Sequence, residues 1–438
     1  MEINMIARSS YLEKLIRAKG NGFPKVITGL RRCGKSYLLG VIFVEYLKTQ
    51  GVDEKHTLVL ELDDALNAKY RDPLNLLDYV IARTEDKAMH YVILDEVQEV
   101  YSIVNPELTG GIHQKAKDGD EDIISFVDVV LALSRRKNID VYVTGSNSRM
   151  LSTDIVTQFR DKATNIKMAP LSFSEFHFYS GGSEEKDYAE YTLHGGMPLA
   201  VLKSRLDKEE YLKGLFQTTY FKDVLEHHHF RRSDVLEETC NVVCQTIGQL
   251  QNPERIANRI RSAHHIQATK ETISDYLDAM KDAFLIAPAD RYDLKGGSFI
   301  GGSRKYYLAD VGLRNARLSF AFPDQGQIME NIIYNELLYH GYSVSVGSFD
   351  SIEKDGSGKS VRKTYEVDFL AVKGGESIYV QACYSLSDAE TLSRETRPYD
   401  LLRNSLRKVI VTKDPLPKSK TANGYEIIGI TEFLLSIE

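Results

Sequence analysis

The first part of the chain alternates short apolar runs with longer amphipathic stretches. Between about residues 20 and 170, five apolar runs of four or five residues are separated by helical patterns, and polar or glycine-containing turns follow the first four. Such runs are typical of buried parallel strands joined by helices, so this segment predicts a three-layer α/β domain. The predicted strands are Lys25–Thr28, Leu58–Leu62, Tyr91–Leu94, Asp140–Thr144 and Thr164–Met168.

A helical pattern dominates from about Leu202 to Arg317. It predicts the helices Glu209–Glu226, Leu236–Leu250 and Thr269–Ala283, and two short strand-like runs follow on either side of a Lys-Gly-Gly-Ser turn at residues 295–298. Those runs are Leu285–Tyr292 and Lys305–Leu308. Helices followed by a hairpin predict a winged-helix-like domain.

A third pattern begins after residue 322 and predicts a small α/β domain. It consists of the helix Ile328–His340 and strands near Tyr342–Val346, Tyr365–Val372, Ser377–Ala382 and Lys408–Thr412. Asp350–Thr364 is the most loop-like segment of this part. The predicted domains are therefore residues 1–200, 201–322 and 323–438.

Composition is that of an ordinary globular chain, with 438 residues, 42 % hydrophobic and 27 % charged residues and a net charge of -7. No apolar run approaches the roughly 18 residues that a membrane helix needs, and Met1–Arg17 lacks the apolar region of a secretory signal. We therefore expect a cytoplasmic protein with no membrane partner. The 4 cysteines are scattered, which favours reduced thiols over disulfides or a zinc cluster.

The strongest chemical pattern is Gly-Leu-Arg-Arg-Cys-Gly-Lys-Ser at residues 29–36, between the first predicted strand and the helix Ser36–Leu47. Glycines let backbone N–H groups approach phosphate oxygens, and the helix N-terminus adds a positive dipole. Lys35 is the candidate for the β- and γ-phosphates and Ser36 for Mg²⁺. The predicted nucleotide-binding residues of this loop are Gly29, Arg31, Arg32, Cys33, Gly34, Lys35, Ser36 and Tyr37.

A pair of acids follows the third predicted strand. Asp95 comes directly after a run of four apolar residues, so we expect it at the carboxyl end of a buried strand, facing Mg²⁺. Glu96 is next in sequence and is the candidate group that orients or deprotonates the attacking water. The alternative is an ordinary acidic turn at the end of a strand.

The next strand ends in Thr-Gly-Ser-Asn at residues 144–147. Its polar side chains are candidates to bind the γ-phosphate or its water, with Asn147 or Ser146 as the sensor. An ordinary turn explains the same four residues when they are considered alone.

These motifs resemble the AAA+-type P-loop ATPases of bacteria and archaea that carry a nuclease-like C-terminal domain. The resemblance covers nearly the whole chain and implies ATP and Mg²⁺ as cofactors, a sheet order of 5-1-4-3-2, and nucleotide contacts by Arg8 and Tyr11. It rests on Arg8 with Tyr11, Gly29–Ser36, Leu94–Gln98, Thr144–Leu151, Pro170–Phe176 and Gly195–Pro198.

The same family usually carries two arginines after the sensor strand. Here that segment is Phe-Arg-Asp-Lys-Ala at residues 159–163, so a lysine replaces the second arginine. Arg160 is then the candidate trans-acting finger, and a plain surface arginine is the alternative. Oligomerisation follows only if Arg160 acts on a neighbouring subunit.

The last domain resembles the restriction-endonuclease-like fold through Glu330, Glu366 and Asp368. Active members of that fold also carry Glu-x-Lys on the next strand, which is Gln-Ala-Cys at residues 381–383 here. This change removes a ligand charge and the cation, so we expect nuclease activity to be absent or very weak. A lysine from elsewhere, or Arg394, could substitute, and a plain hairpin edge is the alternative interpretation.

The middle segment is mildly basic. Residues 251–320 hold 11 Lys plus Arg against 8 Asp plus Glu, a net +3, which suits salt-sensitive contact with DNA phosphates but also a solvated surface. The three histidines at 227–229 favour a solvated helix end over a metal site. The insertion Ser102–Glu121 is predicted to be a disordered loop or a loop that contacts a partner.

Three functions follow from these patterns. The first is a Mg²⁺-dependent ATPase acting on a macromolecular partner, with double-stranded DNA the leading candidate. The alternative is a slow ATP-gated switch or scaffold that binds a protein. A nuclease driven by the ATPase ranks last.

Overall fold

We analysed a computed structural model of the chain. It describes residues 6–117, 119–145, 159, 162–221, 232–321, 324–354, 356, 358–386, 388–414 and 416–437. The chain forms two compact units, Met1–Ala169 with Asp282–Phe284, and Pro170–Lys281 with Leu285–Glu438. Within the described residues, no helix is both long and apolar enough to cross a membrane.

The first unit is built on a five-stranded parallel sheet with the order β2-β3-β6-β1-β7. Each predicted strand is present, with ends shifted by at most one residue, and the order 5-1-4-3-2 is confirmed. A small antiparallel pair, β4 and β5, lies outside this sheet. The strands are β1 (Lys25–Gly29), β2 (Thr57–Glu61), β3 (His90–Asp95), β4 (Ile103–Val104), β5 (Ile123–Ile124), β6 (Ile139–Gly145) and β7 (Thr164–Met168).

Burial explains why these runs form strands. Every residue of β1, β3 and β6 is buried, whereas β2 and β7 at the edges expose part of their side chains. The helix after β1 runs through Lys35–Tyr37, a π-helical stretch Leu38–Phe43, and Val44–Thr49. The remaining α-helices described in this unit are Ser9–Ala18, Pro73–Arg83 and Phe126–Ser134.

The insertion Ser102–Glu121 is not the plain loop that its composition predicts. Ile103 and Val104 pair with Ile124 and Ile123, which closes the described part of the insertion into a hairpin. His113 Nδ1 also lies 2.9 Å from a carboxylate oxygen of Asp72. Local composition missed this order because it comes from pairing with β5, beyond the insertion itself.

The second unit combines helices with an eight-stranded mixed sheet. Its helices are Phe173–Ser180, Glu184–His194, Pro198–Val201, Arg205–Leu215, Ser233–Gln245, Pro253–His264, Lys270–Asp282, Val311–Arg317, Gln325–Tyr339, Ala389–Leu401 and Ile430–Ser436. The helix predicted at Glu209 begins earlier, at Arg205, and continues as a π-helical stretch Phe216–Phe221. Residues 222–231, which include the three histidines, lie outside the described residues.

The sheet of the second unit has the order β14-β15-β13-β12-β11-β10-β8-β9. The predicted hairpin is present as the antiparallel pair of β8 and β9, and β8 also pairs in parallel with β10. One sheet therefore continues across the predicted boundary at residue 322, and the three-domain division stays a prediction. The strands are β8 (Ile286–Asp293), β9 (Ser298–Leu308), β10 (Ser343–Lys354), β11 (Ser360–Lys373), β12 (Glu376–Cys383), β13 (Arg407–Thr412), β14 (Ser419–Lys420) and β15 (Glu426–Gly429).

The segment Asp350–Thr364 was predicted to be a loop, and this prediction is wrong for most of it. β10 and β11 extend into the segment and pair in register from Asp350↔Thr364 to Lys354↔Ser360. Arg362 Nε donates to Asp350 Oδ2 across the strands at 2.9 Å. The charged residues that indicated a loop are the side chains of an exposed hairpin.

Candidate nucleotide-binding site

The loop between β1 and the following helix depends on two glycines. Gly29 has φ +144°, and a Cβ built on it would lie 2.0 Å from the carbonyl oxygen of Met168 on β7. Gly34 has φ +101° and precedes the helix that starts at Lys35. Residues that carry a Cβ atom rarely adopt either backbone conformation, so glycine is needed where the loop leaves the sheet and where it enters the helix.

Lys35 lies under this loop. Its side chain is buried, and Nζ donates to the carbonyl oxygens of Gly29 at 3.0 Å and Leu30 at 3.1 Å. These bonds hold the ammonium group beneath the loop backbone with neutral carbonyl partners. A buried cation held in this way suits a phosphate anion at the same loop.

The other loop residues divide by exposure. Arg31, Arg32 and Ser36 are exposed, and Arg32 has φ 62°. Cys33 is fully buried, and its Sγ lies 3.7 Å from the Met168 carbonyl oxygen, so its side chain fills space between the loop and β7. Tyr37 is half-buried, and burial raises the pKa of its phenol.

Asp95 meets the loop at the carboxyl end of β3. Its Oδ1 accepts a hydrogen bond from Thr144 Oγ1 at 2.5 Å, and the Ser36 hydroxyl lies close enough to lower the pKa of the same carboxyl. Burial raises the pKa of the Asp95 carboxyl, and these two hydroxyl donors oppose that shift. The fold therefore brings together the two residues, Ser36 and Asp95, that the sequence nominates as metal ligands.

Glu96 continues from Asp95 in a left-handed backbone conformation with φ 50°. Its backbone N–H donates to Thr144 Oγ1 at 3.0 Å, and its carboxylate accepts a hydrogen bond from the Gln98 amide. A residue other than glycine in this conformation costs about 1 kcal/mol or more and persists where its surroundings hold it. Here Thr144 and Gln98 hold the Glu96 backbone and side chain.

Thr144 belongs to the Thr-Gly-Ser-Asn motif, but the sequence does not predict that it links Asp95 to Glu96. It lies on β6, 49 residues from Asp95, and the parallel register Leu94↔Val143 puts the two side by side. The signal that could have found it is the sheet order, since β3 and β6 are neighbours. Ser146, Asn147 and Arg160 lie outside the described residues, so the sensor and the arginine finger stay predictions.

Arg8 and Tyr11 both lie against the loop's surroundings. The Arg8 guanidinium donates to the carbonyl oxygens of Ala169 at 2.6 Å and Cys33 at 3.5 Å and lies over the Tyr11 ring. Tyr11 is buried, and its hydroxyl accepts from the Ala169 N–H at 2.9 Å. These contacts link the N-terminal helix to the loop and to the end of β7, and the predicted nucleotide contacts of both residues stay predictions.

The acids of the last domain also come together, around a lysine that the sequence did not place there. Lys305 Nζ on β9 lies 2.9 Å from Glu330, 2.8 Å from Glu366 and 3.5 Å from Asp368. Tyr307 donates its hydroxyl to Glu330 Oε1 at 2.5 Å. The carboxylates raise the pKa of the Lys305 ammonium in spite of its burial, so this group is a permanent cation inside the cluster.

The remaining predicted residues of that domain contact Glu395. Gln381 Nε2 donates to Glu395 at 3.1 Å, and Arg394 forms its ion pair with Glu395 at 3.2 Å. The cation among these acids is a lysine, Lys305, and the nuclease-like character of the domain stays a prediction. The expected lack of nuclease activity stays a prediction.

Comparison with known proteins agrees with this site. Residues 21–177 match the family model of an AAA domain, and residues 185–324 match a domain of unknown function. An uncharacterized protein of Haemophilus influenzae is 30 % identical over 98 % of this chain and 99 % of its own. An uncharacterized protein of Methanocaldococcus jannaschii is 26 % identical over 86 % of this chain and 78 % of its own.

Two solved structures have weaker similarity. The Walker-type ATPase of Pyrococcus abyssi has a TM-score of 0.49 at 13 % identity, with 72 % of this chain and 96 % of that chain covered. Cdc6p of Pyrobaculum aerophilum has a TM-score of 0.30 at 9 % identity, with 75 % and 97 % covered.

The parallel sheet, the glycine loop with Lys35 and the family match together define a P-loop domain of the AAA class. Beyond that class, the chain belongs to the family of the Haemophilus influenzae protein, which it matches along nearly its whole length.

Proposed function

We propose that this protein is a Mg²⁺-dependent ATPase whose hydrolysis cycle acts on a macromolecular partner. The observation that carries the proposal is the position of Asp95, which Thr144 holds at the carboxyl end of β3 and which lies near Ser36 of the loop. A phosphate-binding loop and a carboxylate next to it are the two parts that P-loop hydrolysis requires.

The residues of the site fit a nucleotide with its metal ion. Ser36 and Asp95 offer hard oxygen atoms, which Mg²⁺ prefers, and the two side chains lie near each other. Mg²⁺ in such a site neutralises charge on the β- and γ-phosphates. Lys35 holds a positive charge under the loop, where it would bind the same phosphates.

Glu96 is the proposed general base. Its carboxylate is half-buried next to Asp95 and is oriented by the Gln98 amide. From this position it would accept a hydrogen bond or a proton from the attacking water. This role predicts that the charge of Glu96 matters for turnover and not for ATP binding.

The test is steady-state ATP hydrolysis and equilibrium ATP binding for wild type, Lys35→Ala and Glu96→Gln. Lys35→Ala should weaken binding, and Glu96→Gln should bind ATP normally and lower turnover by about 100-fold or more. The matched controls are Lys48→Ala and Glu99→Gln. Lys48 is exposed on the helix that follows the loop, and Glu99 is exposed shortly after β3. Equal loss of binding in Lys35→Ala and Glu96→Gln would contradict the role of Glu96.

DNA is the first candidate partner, but the structure reduces the basic surface that suggested it. Lys305 and Arg314 are buried, and Arg317 pairs with Glu237 at 2.9 Å with its side chain only 9 % exposed. DNA contact would then depend on the exposed Lys295 and on the helix Pro253–His264. That helix exposes Arg255, Arg259 and Arg261.

Because these cations are buried or paired within the protein, they are not available to DNA phosphates. This favours a second candidate, an ATP-gated switch that binds a protein partner. The two candidates differ in their response to DNA. If DNA is the partner, double-stranded DNA should raise the ATPase rate at low salt, and this increase should disappear at moderate salt.

The variant that removes the three arginines of Pro253–His264, R255Q/R259Q/R261Q, should abolish that increase. R135Q/R136Q/K137Q removes the same charge from exposed positions elsewhere and should preserve it. A wild-type rate that is negligible or indifferent to DNA, with ATP still bound, would support the switch and direct the search to proteins.

A further inference from the structure

Two histidines lie side by side at the amino-terminal ends of β2 and β3. His56 ends a 3₁₀ turn, Glu54–His56, directly before β2, and His90 is the first residue of β3. The parallel register pairs Thr57 with Tyr91, and the residues directly before this pair are His56 and His90, which therefore lie next to each other. Asp86, between the helix Pro73–Arg83 and β3, completes the group.

The potential ligand atoms of these three side chains converge. The Nε2 atoms of His90 and His56 lie 2.9 Å and 3.3 Å from the two carboxylate oxygens of Asp86. All three ligand atoms lie within 4.8 Å of one another. Ligands bound to zinc at about 2.0–2.2 Å in a tetrahedron are about 3.4 Å apart, so small adjustments would bring these atoms to one ion.

We propose that His56, Asp86 and His90 bind a structural divalent transition-metal ion of the zinc type. Two imidazole nitrogens and one carboxylate oxygen are a donor set that zinc uses commonly and that Mg²⁺ does not prefer. The site is distinct from the nucleotide site, because His90 and Asp95 are the two ends of β3. At about 3.3 Å per residue they lie about 17 Å apart.

The surroundings of Asp86 hold it in position for this role. Its Oδ1 accepts from the Ala88 N–H at 2.8 Å, and its backbone carbonyl accepts from the Asn138 amide at 2.8 Å. Outer contacts of this kind fix the ligands of metal sites.

The proposed metal site is open to solvent on the side of Asp86. His90 is 3 % exposed, His56 16 % and Asp86 54 %, so a water molecule has access as a fourth ligand. The ion would join two segments of the first unit, the turn before β2 with His56 and the stretch from Asp86 to His90. It would stabilise this end of the sheet and leave ATP turnover unchanged.

A simple hydrogen-bonded histidine–aspartate contact is the competing explanation, and the chain offers a comparison. His177 Nδ1 lies 2.7 Å from Asp187, and no second imidazole of the described residues joins this pair. His177→Asn is therefore the matched control. It removes an imidazole that is paired with an aspartate and should leave metal binding unchanged.

The test uses untagged full-length protein stripped with a chelator, without nucleotide. Zn²⁺ affinity and stoichiometry are measured by competition with a chromophoric chelator, and Co²⁺ serves as a spectroscopic replacement. Wild type and H177N should bind one ion and melt at a higher temperature with Zn²⁺. His56→Asn and Asp86→Asn, at the more exposed positions, should weaken Zn²⁺ binding about 100-fold and lose the shift.

The three consecutive histidines at 227–229 could also bind Zn²⁺, so H227N/H228N/H229N is measured in parallel. Unchanged affinity in this variant, with loss in His56→Asn, supports the proposal. Unchanged affinity in His56→Asn and Asp86→Asn, or loss only in the triple variant, would overturn it. Failure of wild type to bind Zn²⁺ would also overturn it, and ATP binding confirms that each variant is folded.

Discussion

Thr144 offers a sharp test of the structure, because one hydroxyl joins the two acids of the nucleotide site. It donates to Asp95 at 2.5 Å and accepts from the Glu96 N–H at 3.0 Å, and its side chain is fully buried. Thr144→Val keeps the shape and the β-branched side chain and removes both hydrogen bonds. It therefore isolates the contribution of the hydroxyl.

The expected destabilisation is about 3 kcal/mol. A hydrogen bond to a charged acceptor contributes about 1.5–3 kcal/mol, and leaving the Glu96 N–H without an acceptor costs about 1–3 kcal/mol, with some overlap between them. The pKa of the Asp95 carboxyl should rise further, because Thr144 is the first of the donors that lower it. Mg²⁺-dependent turnover should fall about 10- to 100-fold as the carboxylate loses its orientation.

Thr28 is the matched control. It is a fully buried threonine on the neighbouring strand β1, and its hydroxyl has no hydrogen-bond partner among the described residues. Thr28→Val should leave stability unchanged or raise it by up to about 1 kcal/mol, since it removes an unpaired buried hydroxyl.

The assay is urea unfolding followed by circular dichroism, combined with hydrogen exchange of a peptide that contains β3. The exchange measurement is needed because the chain forms two compact units, and a global transition does not say which one has changed. Thr144→Ser should restore most of the stability and activity. If Thr144→Val and Thr28→Val differ by less than about 0.5 kcal/mol, the proposed network does not hold the site together.

Three further predictions concern other parts of the molecule. Gly29→Ala should destabilise the chain more than Gly22→Ala, because both have positive φ but only at Gly29 would the new Cβ meet the Met168 carbonyl oxygen at 2.0 Å; the difference in melting temperature measures that contact. Lys305→Met should cost about 3–5 kcal/mol, because three carboxylates lose their cation partner, while Lys418→Met, in an exposed pair at 3.6 Å, should cost at most about 1 kcal/mol; urea unfolding measures both. Burial raises the pKa of the Asp310 carboxyl to about 6, so its contribution to stability is complete below its ordinary value of 3.8 and is lost as pH rises through about 6; Asp310→Asn should flatten the fall in unfolding free energy between pH 4 and 6, and an unchanged slope would contradict the assignment.

Much of the first unit could be predicted from local sequence. The five strands are largely apolar runs. A parallel strand that is buried on both faces is apolar along its length whichever strands it pairs with, so it can be recognised from its own sequence. The loop at 29–36 was predictable for the same reason, because the glycines that its backbone requires are close in sequence. The strand ends therefore agree to within one residue.

The tertiary structure alone decided which distant side chains meet. Thr144 reaches Asp95 across 49 residues because β3 and β6 are neighbours in the sheet, and Lys305 reaches Asp368 across 63 residues although β10 and β8 lie between their strands in the sheet order. The extension of the β10–β11 hairpin into residues 350–364 was also hidden, because its charged residues are typical of a loop until the two strands pair. Hydrophobic period and glycine spacing are properties of neighbouring residues, whereas strand order and register, which set the sites of this protein, depend on contacts between residues far apart in the chain.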